Sequence, residues 1–265
     1  MIIDSYLKLL QEKIEASENY NIDEFFSRLN KVIKKNENYI KTENLGYARE
    51  FPIIFIKPKK ISDKPKVLIA AGFHGDESSG PWAVLNFLES NKYPTRVNVS
   101  FLPLVNPTGF NLSRRFDFWG KEPNRGYIKT QKFSKPSHED EILKKHLDLL
   151  SKYGKDCLVT LHEDDQEHFY IYTYGDKDKL DAKLLSMGEE KFGLIPSRLL
   201  KLAEAFESSE DGIRKDDKDG SFEYAMILKG TKRSITAENP SRRPFKERVE
   251  LYIEIIKEVC KPKYY

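Results

Sequence analysis

The chain has 265 residues, 39% of them hydrophobic and 33% charged, enough apolar material for a substantial core under a charged surface. Its 45 Lys and Arg against 42 Asp and Glu leave a formal charge of only +3, with both signs interspersed and no polybasic tail, which argues against nucleic acid as a partner. No apolar stretch reaches membrane-spanning length and the start lacks a signal-peptide pattern, so the expected home is the cytoplasm, with Cys157 and Cys260 as inert thiols.

In chain order, Leu7, Leu10 and Ile14, then Phe25, Phe26, Leu29, Val32 and Ile33, recur at helical spacing and predict two helices, the second capped by Asn21 or Asp23. Tyr39–Thr42 and Phe51–Ile56 read as strands around a turn near Gly46. Val67–Phe73 is a buried strand, and Ser79-Gly80-Pro81 opens a helix carrying Trp82, Val84, Leu85 and Leu88. Val97–Val105 is the next strand, stopped by Asn106-Pro107-Thr108-Gly109. Residues 106–136 have no clear period and read as a long functional loop. Ser137 caps a helix through Glu141, Leu143, Leu147 and Leu150, and Asp156–Leu161 is a strand delivering His162. A strand at Phe169–Thr173, helices over 178–191 and 197–208, and a charged loop over 211–220 follow. Arg233–Ala237 is a short strand ending at Glu238, and Phe245–Val259 is a terminal helix.

Strands alternating with helices predict an α/β fold, a mixed, mainly parallel twisted β-sheet sandwiched between helices. With no linker in sight, residues 1–265 read as a single catalytic domain, residues 1–36 forming an N-terminal helical extension packed on it.

His74-Gly75-Asp76-Glu77 sits directly after an apolar run, and His162 and Glu238 follow two others. Ligands of open α/β sheets bind beyond the carboxyl ends of strands, so these side chains can share a crevice. An imidazole, a carboxylate and a second imidazole form an established divalent-metal set. His138 and His146 read as solvated residues of a charged helix. The acidic turn Glu163–Glu167 lacks the glycine and ligand ladder of a calcium loop.

The order His74-x-x-Glu77, Asn106-Pro107-Thr108-Gly109, Arg115, Asn124-Arg125, His162 and Thr236-Ala237-Glu238 resembles the zinc carboxypeptidase (funnelin) family, including the related succinylglutamate desuccinylase/aspartoacylase group. The similarity spans about residues 40–250. The resemblance implies one Zn²⁺ per chain on His74, Glu77 and His162. Glu238 is then the general base for a metal-activated water, Arg115 stabilises the oxyanion, and Asn124 and Arg125 grip the substrate's free α-carboxylate. Gly220-Ser221-Phe222-Glu223-Tyr224 resembles the segment that lines the pocket for the terminal side chain. Aligned on Gly-Ser, Phe222 faces that pocket; counted back from Glu238, Glu223 does.

The chain departs from the family in two places. Glu122 stands where the family has an aspartate supporting the first zinc histidine, and no tyrosine lies among the residues just before Gly220-Ser221, leaving Tyr224 or a tyrosine of 170–174 as substitutes. Arg114 reads as a surface charge.

The function implied is a zinc metallocarboxypeptidase acting on a small peptide or peptide-like substrate, without nucleic-acid or membrane partners. An N-acyl amino acid amidohydrolase of the desuccinylase/aspartoacylase type is the nearest rival. That group carries a further β-domain after the core, where only a helix-like tail follows Glu238 here. A non-catalytic module that captures carboxylate ligands is the alternative from another class.

Overall fold

The computed structural model describes residues 19–90, 93–129, 135–174, 178–196, 213–215 (backbone only) and 219–265. The helices expected around Leu7–Ile14 and over 197–208 lie outside the described residues.

Among the described residues, eight strands form one sheet: β1 (Ile40–Ala48), β2 (Phe51–Pro58), β3 (Lys66–Ala71), β4 (Asn98–Leu102), β5 (Cys157–Asp164), β6 (Tyr170–Tyr174), β7 (Ile213–Lys215) and β8 (Ser234–Pro240). Their spatial order is β1-β2-β4-β3-β5-β8-β6-β7. The centre β4-β3-β5-β8 is parallel, while β2 runs antiparallel to β1 and β4, and β6 antiparallel to β8. This is the mixed, mainly parallel sheet that the alternating pattern predicts.

Side chains alternate across a strand, and β3 shows what each face holds. Val67, Ile69 and Ala71 join a core under α1 (Ile22–Lys35), α2 (Ser79–Ser90), α6 (Lys179–Phe192) and α8 (Phe245–Val259). Leu68 and Ala70 join the opposite core, under α4 (His138–Lys144), α5 (Leu147–Tyr153) and α7 (Phe222–Leu228). Both faces are covered, which is why these strands read as unbroken apolar runs. Asn21 caps α1, and Ile22, Phe25, Leu29 and Val32 bury the stripe that its spacing predicts. No described helix is long and apolar enough to cross a membrane.

Several boundaries differ from the sequence reading. Strand β1 runs through Gly46 to Ala48, with a register shift between Asn44 and Gly46, and the reversal falls at Arg49-Glu50. Gly46 is a close approach instead of a turn, since a Cβ there would meet the Ile142 side chain at 2.8 Å. The long loop contains the short helix α3 (Pro107–Asn111), which Asn106 caps by accepting from Gly109 N at 2.8 Å. The helix expected after Ser137 is broken in two around Lys145-His146. Part of the charged 211–220 segment pairs with β6 as β7. Strands β5 and β8 continue two residues past His162 and Glu238, so both lie within strands, not after them. His138 and His146 are not merely solvated: their Nε2 atoms donate to the carbonyls of Tyr47 (3.0 Å) and Leu45 (2.9 Å), both on the edge strand β1.

The first turn of α4 buries two carboxyl groups, Glu139 and Asp140. Burial pushes Glu139 up to about 7, with Asp117 nearby adding to the rise and the Thr108 hydroxyl (2.7 Å) opposing it. The folded protein therefore keeps a proton that the unfolded chain releases at ordinary carboxylate pH. The resulting stability is complete below about pH 4 and is lost as pH rises through 7, a difference of ~3 kcal/mol. Glu139→Gln is expected to flatten the pH dependence of urea unfolding between pH 5 and 8, and to be the more stable protein at pH 8. A variant whose unfolding free energy falls with pH as steeply as the wild type would remove Glu139 from this account.

Candidate functional site

Loop 72–77 leaves β3 and packs hard against α3. A Cβ on Gly75 would fall 2.0 Å from the Gly109 carbonyl carbon and 2.3 Å from Phe110 N, so the His-Gly-Asp-Glu segment needs glycine where it meets Asn-Pro-Thr-Gly. This contact turns His74 and Glu77 toward β5. His74 Nδ1 bonds Glu77 Oε1, and His162 Nδ1 lies 2.8 Å from Glu77 Oε2. The two imidazole centroids are 5.1 Å apart. One donor atom from each of His74, Glu77 and His162 lies within 4.8 Å of the others, and all three residues are buried. Two imidazoles and a carboxylate, converging by Nδ1 and both carboxylate oxygens, fit a divalent cation.

The electrostatics follow from that convergence. Burial works to raise Glu77, but the two imidazoles outweigh it and hold the carboxyl well below its usual range. Burial likewise disfavours charging His162, yet Glu77 and Glu223 beside it push its pKa well above the ordinary value. This is a single ion pair seen from its two ends, and a metal ion would replace the proton.

Behind His74, Glu122 Oε1 stands 3.3 Å from Nε2, accepts from Arg115 Nε at 3.1 Å and lies 2.9 Å from Arg115 Nη2. The longer carboxylate therefore does reach the imidazole. Burial opposes its ionisation, but His74 and Arg115 hold it at about 2. Arg115 Nη1 also lies 3.4 Å from Glu77 Oε1. Arg114 is not a surface charge: it donates to the Asp117 and Phe118 carbonyls and closes the loop.

Glu238 is paired in register with His162 across β5 and β8, which sets both side chains on the same face. Two residues earlier on each strand, Thr160 and Thr236 bond through their hydroxyls at 3.0 Å.

Asn124 adopts a left-handed backbone (φ +66°), a conformation asparagine tolerates better than most residues. Asp140 holds this loop, accepting from Asn124 N (2.9 Å), Gly126 N (3.1 Å) and Ser137 N (3.2 Å). The sequence reading missed Asp140, although Ser137-x-x-Asp140 has the spacing of a reciprocal helix cap, which the structure contains. The Asn124 side chain is largely committed: Oδ1 accepts from Phe222 N (2.8 Å) and Nδ2 donates to Glu223 Oε2 (3.0 Å). Arg125 Nη1 donates to its neighbour's carbonyl at 2.8 Å and lies 3.6 Å from Asp219 Oδ2.

A cavity of about 160 Å³ is lined by His74, Glu77, Arg115, Asn124, Arg125, His162, Glu223 and Glu238, together with Tyr170 and Tyr172. Phe222 is the exception among the expected residues. It is fully buried, packed on Phe73 and Tyr127 with centroids 5.3 Å away, because an apolar ring opening α7 points into the core beneath the site. Tyr224 stacks on Tyr174 at 5.6 Å and does not line the cavity. The acidic turn is also more structured than its composition suggests: buried Glu163 accepts from Ser79 N (2.6 Å) and pairs with Arg248, tying β5 to α2 and α8.

The sequence model of the succinylglutamate desuccinylase/aspartoacylase catalytic domain matches residues 63–178. A candidate metallopeptidase of known structure from Shewanella denitrificans OS217 is 30% identical to the chain, covers 92% of each protein and superposes with a TM-score of 0.80. The chain belongs to the zinc carboxypeptidase family in its broad sense. By family it is thus a metal-dependent hydrolase. Two less similar structures share the fold. A metallo-carboxypeptidase from Burkholderia cenocepacia is 15% identical, over 88% of this chain and 66% of its own, with a TM-score of 0.61. Bovine thrombin-activatable fibrinolysis inhibitor, solved with a tick carboxypeptidase inhibitor, is 14% identical over 90% and 95%, with a TM-score of 0.60. No curated protein sequence matches this one.

Proposed function

We propose that this zinc carboxypeptidase-family chain is a metallocarboxypeptidase that hydrolyses the C-terminal amide bond of a small peptide or peptide-like substrate. One observation carries the reading: the His74/Glu77/His162 donors, the Glu238 carboxylate and the Arg125 guanidinium all face one cavity. His74, Glu77 and His162 would hold one zinc ion. Bound zinc supplies Lewis-acid polarisation of a carbonyl and a lowered pKa for water.

The remaining work falls to the chain's own groups. Glu238 takes a proton on its carboxylate and returns it to the departing amine. Arg115, held by Glu122, offers its guanidinium to the negative charge that develops on the carbonyl oxygen. Arg125 exchanges its 3.6 Å contact with Asp219 for the substrate's terminal carboxylate, to which a guanidinium presents two parallel donors. Asn124 adds the second hydrogen of its amide, the first being taken by Glu223. An internal peptide bond brings no such carboxylate to Arg125, so only the chain end is cut.

The test compares zinc-loaded protein on peptides with free and amidated C-termini, and on short N-acyl amino acids. Cleavage confined to free-acid peptides is the expected result. Arg125→Lys is expected to lower kcat/KM by roughly 10–100-fold, mostly through KM, since an ammonium cannot reproduce the paired contact. Activity on N-acyl amino acids alone would favour the amidohydrolase reading. Tight ligand binding without turnover would instead identify a non-catalytic module.

A further inference from the structure

Glu223 occupies a position at which the sequence alone leaves a role in binding the substrate's terminal side chain open. In the structure its carboxylate is turned inward. The residue is only 2% exposed. Oε2 accepts from Asn124 Nδ2 at 3.0 Å, and Oε1 lies 3.6 Å from His162 Nε2. Both Glu223 Oε1 and His162 Nε2 are buried, and neither has a hydrogen-bond partner in bonding geometry among the described residues. A buried donor or acceptor left unpaired costs ~1–3 kcal/mol, so two such atoms facing each other gain by closing the few tenths of an ångström between them.

We propose that Glu223 is a positioning residue that holds His162 through Nε2 and, through Asn124, ties the metal centre to the carboxylate clamp. The inference rests on the metal-site part of the functional reading. A histidine that uses Nδ1 as a ligand must carry its proton on Nε2, and a carboxylate behind Nε2 fixes that tautomer and the ring's orientation. His74 is built the same way: its Nδ1 faces Glu77 while its Nε2 faces Glu122 at 3.3 Å. The two imidazoles therefore share one plan, each with a carboxylate at its back. Glu223 differs from Glu122 in its second bond. Asn124 returns its own oxygen to Phe222 N at 2.8 Å, so the start of α7 and the Asn124-Arg125 loop are closed into one unit around this carboxylate.

Only a carboxylate serves both donors. The amide of Glu223→Gln can accept from His162 or from Asn124, and its NH₂ then faces the other N–H. The experiment measures the zinc dissociation constant of the full chain by chelator competition, for the wild type, Glu223→Gln and Glu223→Ala, and the His162 ring tautomer by ¹⁵N NMR of the zinc-loaded protein. The expected result is a loss of zinc affinity of roughly 10–100-fold, with the pure Nε2–H signal of wild-type His162 becoming mixed or shifted. Should Glu223→Ala not fold, the isosteric Glu223→Gln gives both readouts. Zinc affinity within two-fold of the wild type, with an unchanged His162 signal, overturns the proposal. So does an unchanged zinc affinity with KM raised only for peptides ending in lysine or arginine, which would make Glu223 a specificity residue. A wild-type protein that binds no zinc removes the metal-centre reading itself and this inference with it.

Discussion

Glu238→Gln is expected to lower kcat by roughly 10²–10⁴-fold, the range associated with a positioned general base, while leaving zinc content unchanged. The substitution keeps shape and hydrogen-bonding size and removes only the capacity to accept a proton. Glu238 stands outside the His74/Glu77/His162 donor group, so metal binding does not depend on its charge. Burial pushes its carboxyl well above the carboxylate range; His162 pulls the other way, and Glu77 and Asp164 add to the rise. A carboxylate in that environment is a better proton acceptor than one in water, which suits it to taking a proton and handing it on. Steady-state kinetics beside metal analysis of both proteins provide the check. A variant retaining a third or more of wild-type kcat would take Glu238 out of the reaction.

The second large effect is expected at His74→Ala. The wild type should purify or reconstitute with one zinc per chain, and the variant should lose it on dialysis. With zinc at a thousand-fold excess over its dissociation constant, binding stabilises the native state by ~4 kcal/mol. For a domain of this size that moves Tm by roughly 10 °C. A chelator should therefore lower the wild-type Tm by about that amount and leave the His74→Ala Tm where it is. The variant's own metal-free Tm should also fall, because Glu77 and Glu122 each lose an imidazole partner inside the protein. Equal zinc content in the two proteins would rule out the assigned donor set.

How far the sequence foretold this site varies with the range of each interaction. His74 and Glu77 were legible because three residues and a strand end bring them together, and His162 and Glu238 because each ends an apolar run on a central strand. The element order was legible for the same reason: buried parallel strands show as continuous apolar segments. What stayed hidden depends on contacts far apart in sequence. Asn124 reads as a substrate-binding amide, yet its oxygen is spent on Phe222 N, 98 residues away, and its nitrogen on Glu223, 99 away. No local pattern carries that pairing. The choice between Phe222 and Glu223 stayed open because neighbours on a short helix point in different directions: the Phe222 ring turns into the core and the Glu223 side chain toward the metal centre. Glu163, in a run of acids, looks solvated until Arg248, 85 residues later, lies against it.

The pairing of His162 with Glu238 has a consequence for how the activity can evolve. Their separation is fixed by hydrogen-bonded strand spacing and owes nothing to loops, so the surrounding connections are free to lengthen, shorten and change ligand preference without disturbing it. A single-residue insertion or deletion within β8 upstream of Glu238 is another matter. It would rotate the carboxylate to the opposite side of the sheet, beneath α8, and silence the enzyme in one step while every other active-site group stayed in place.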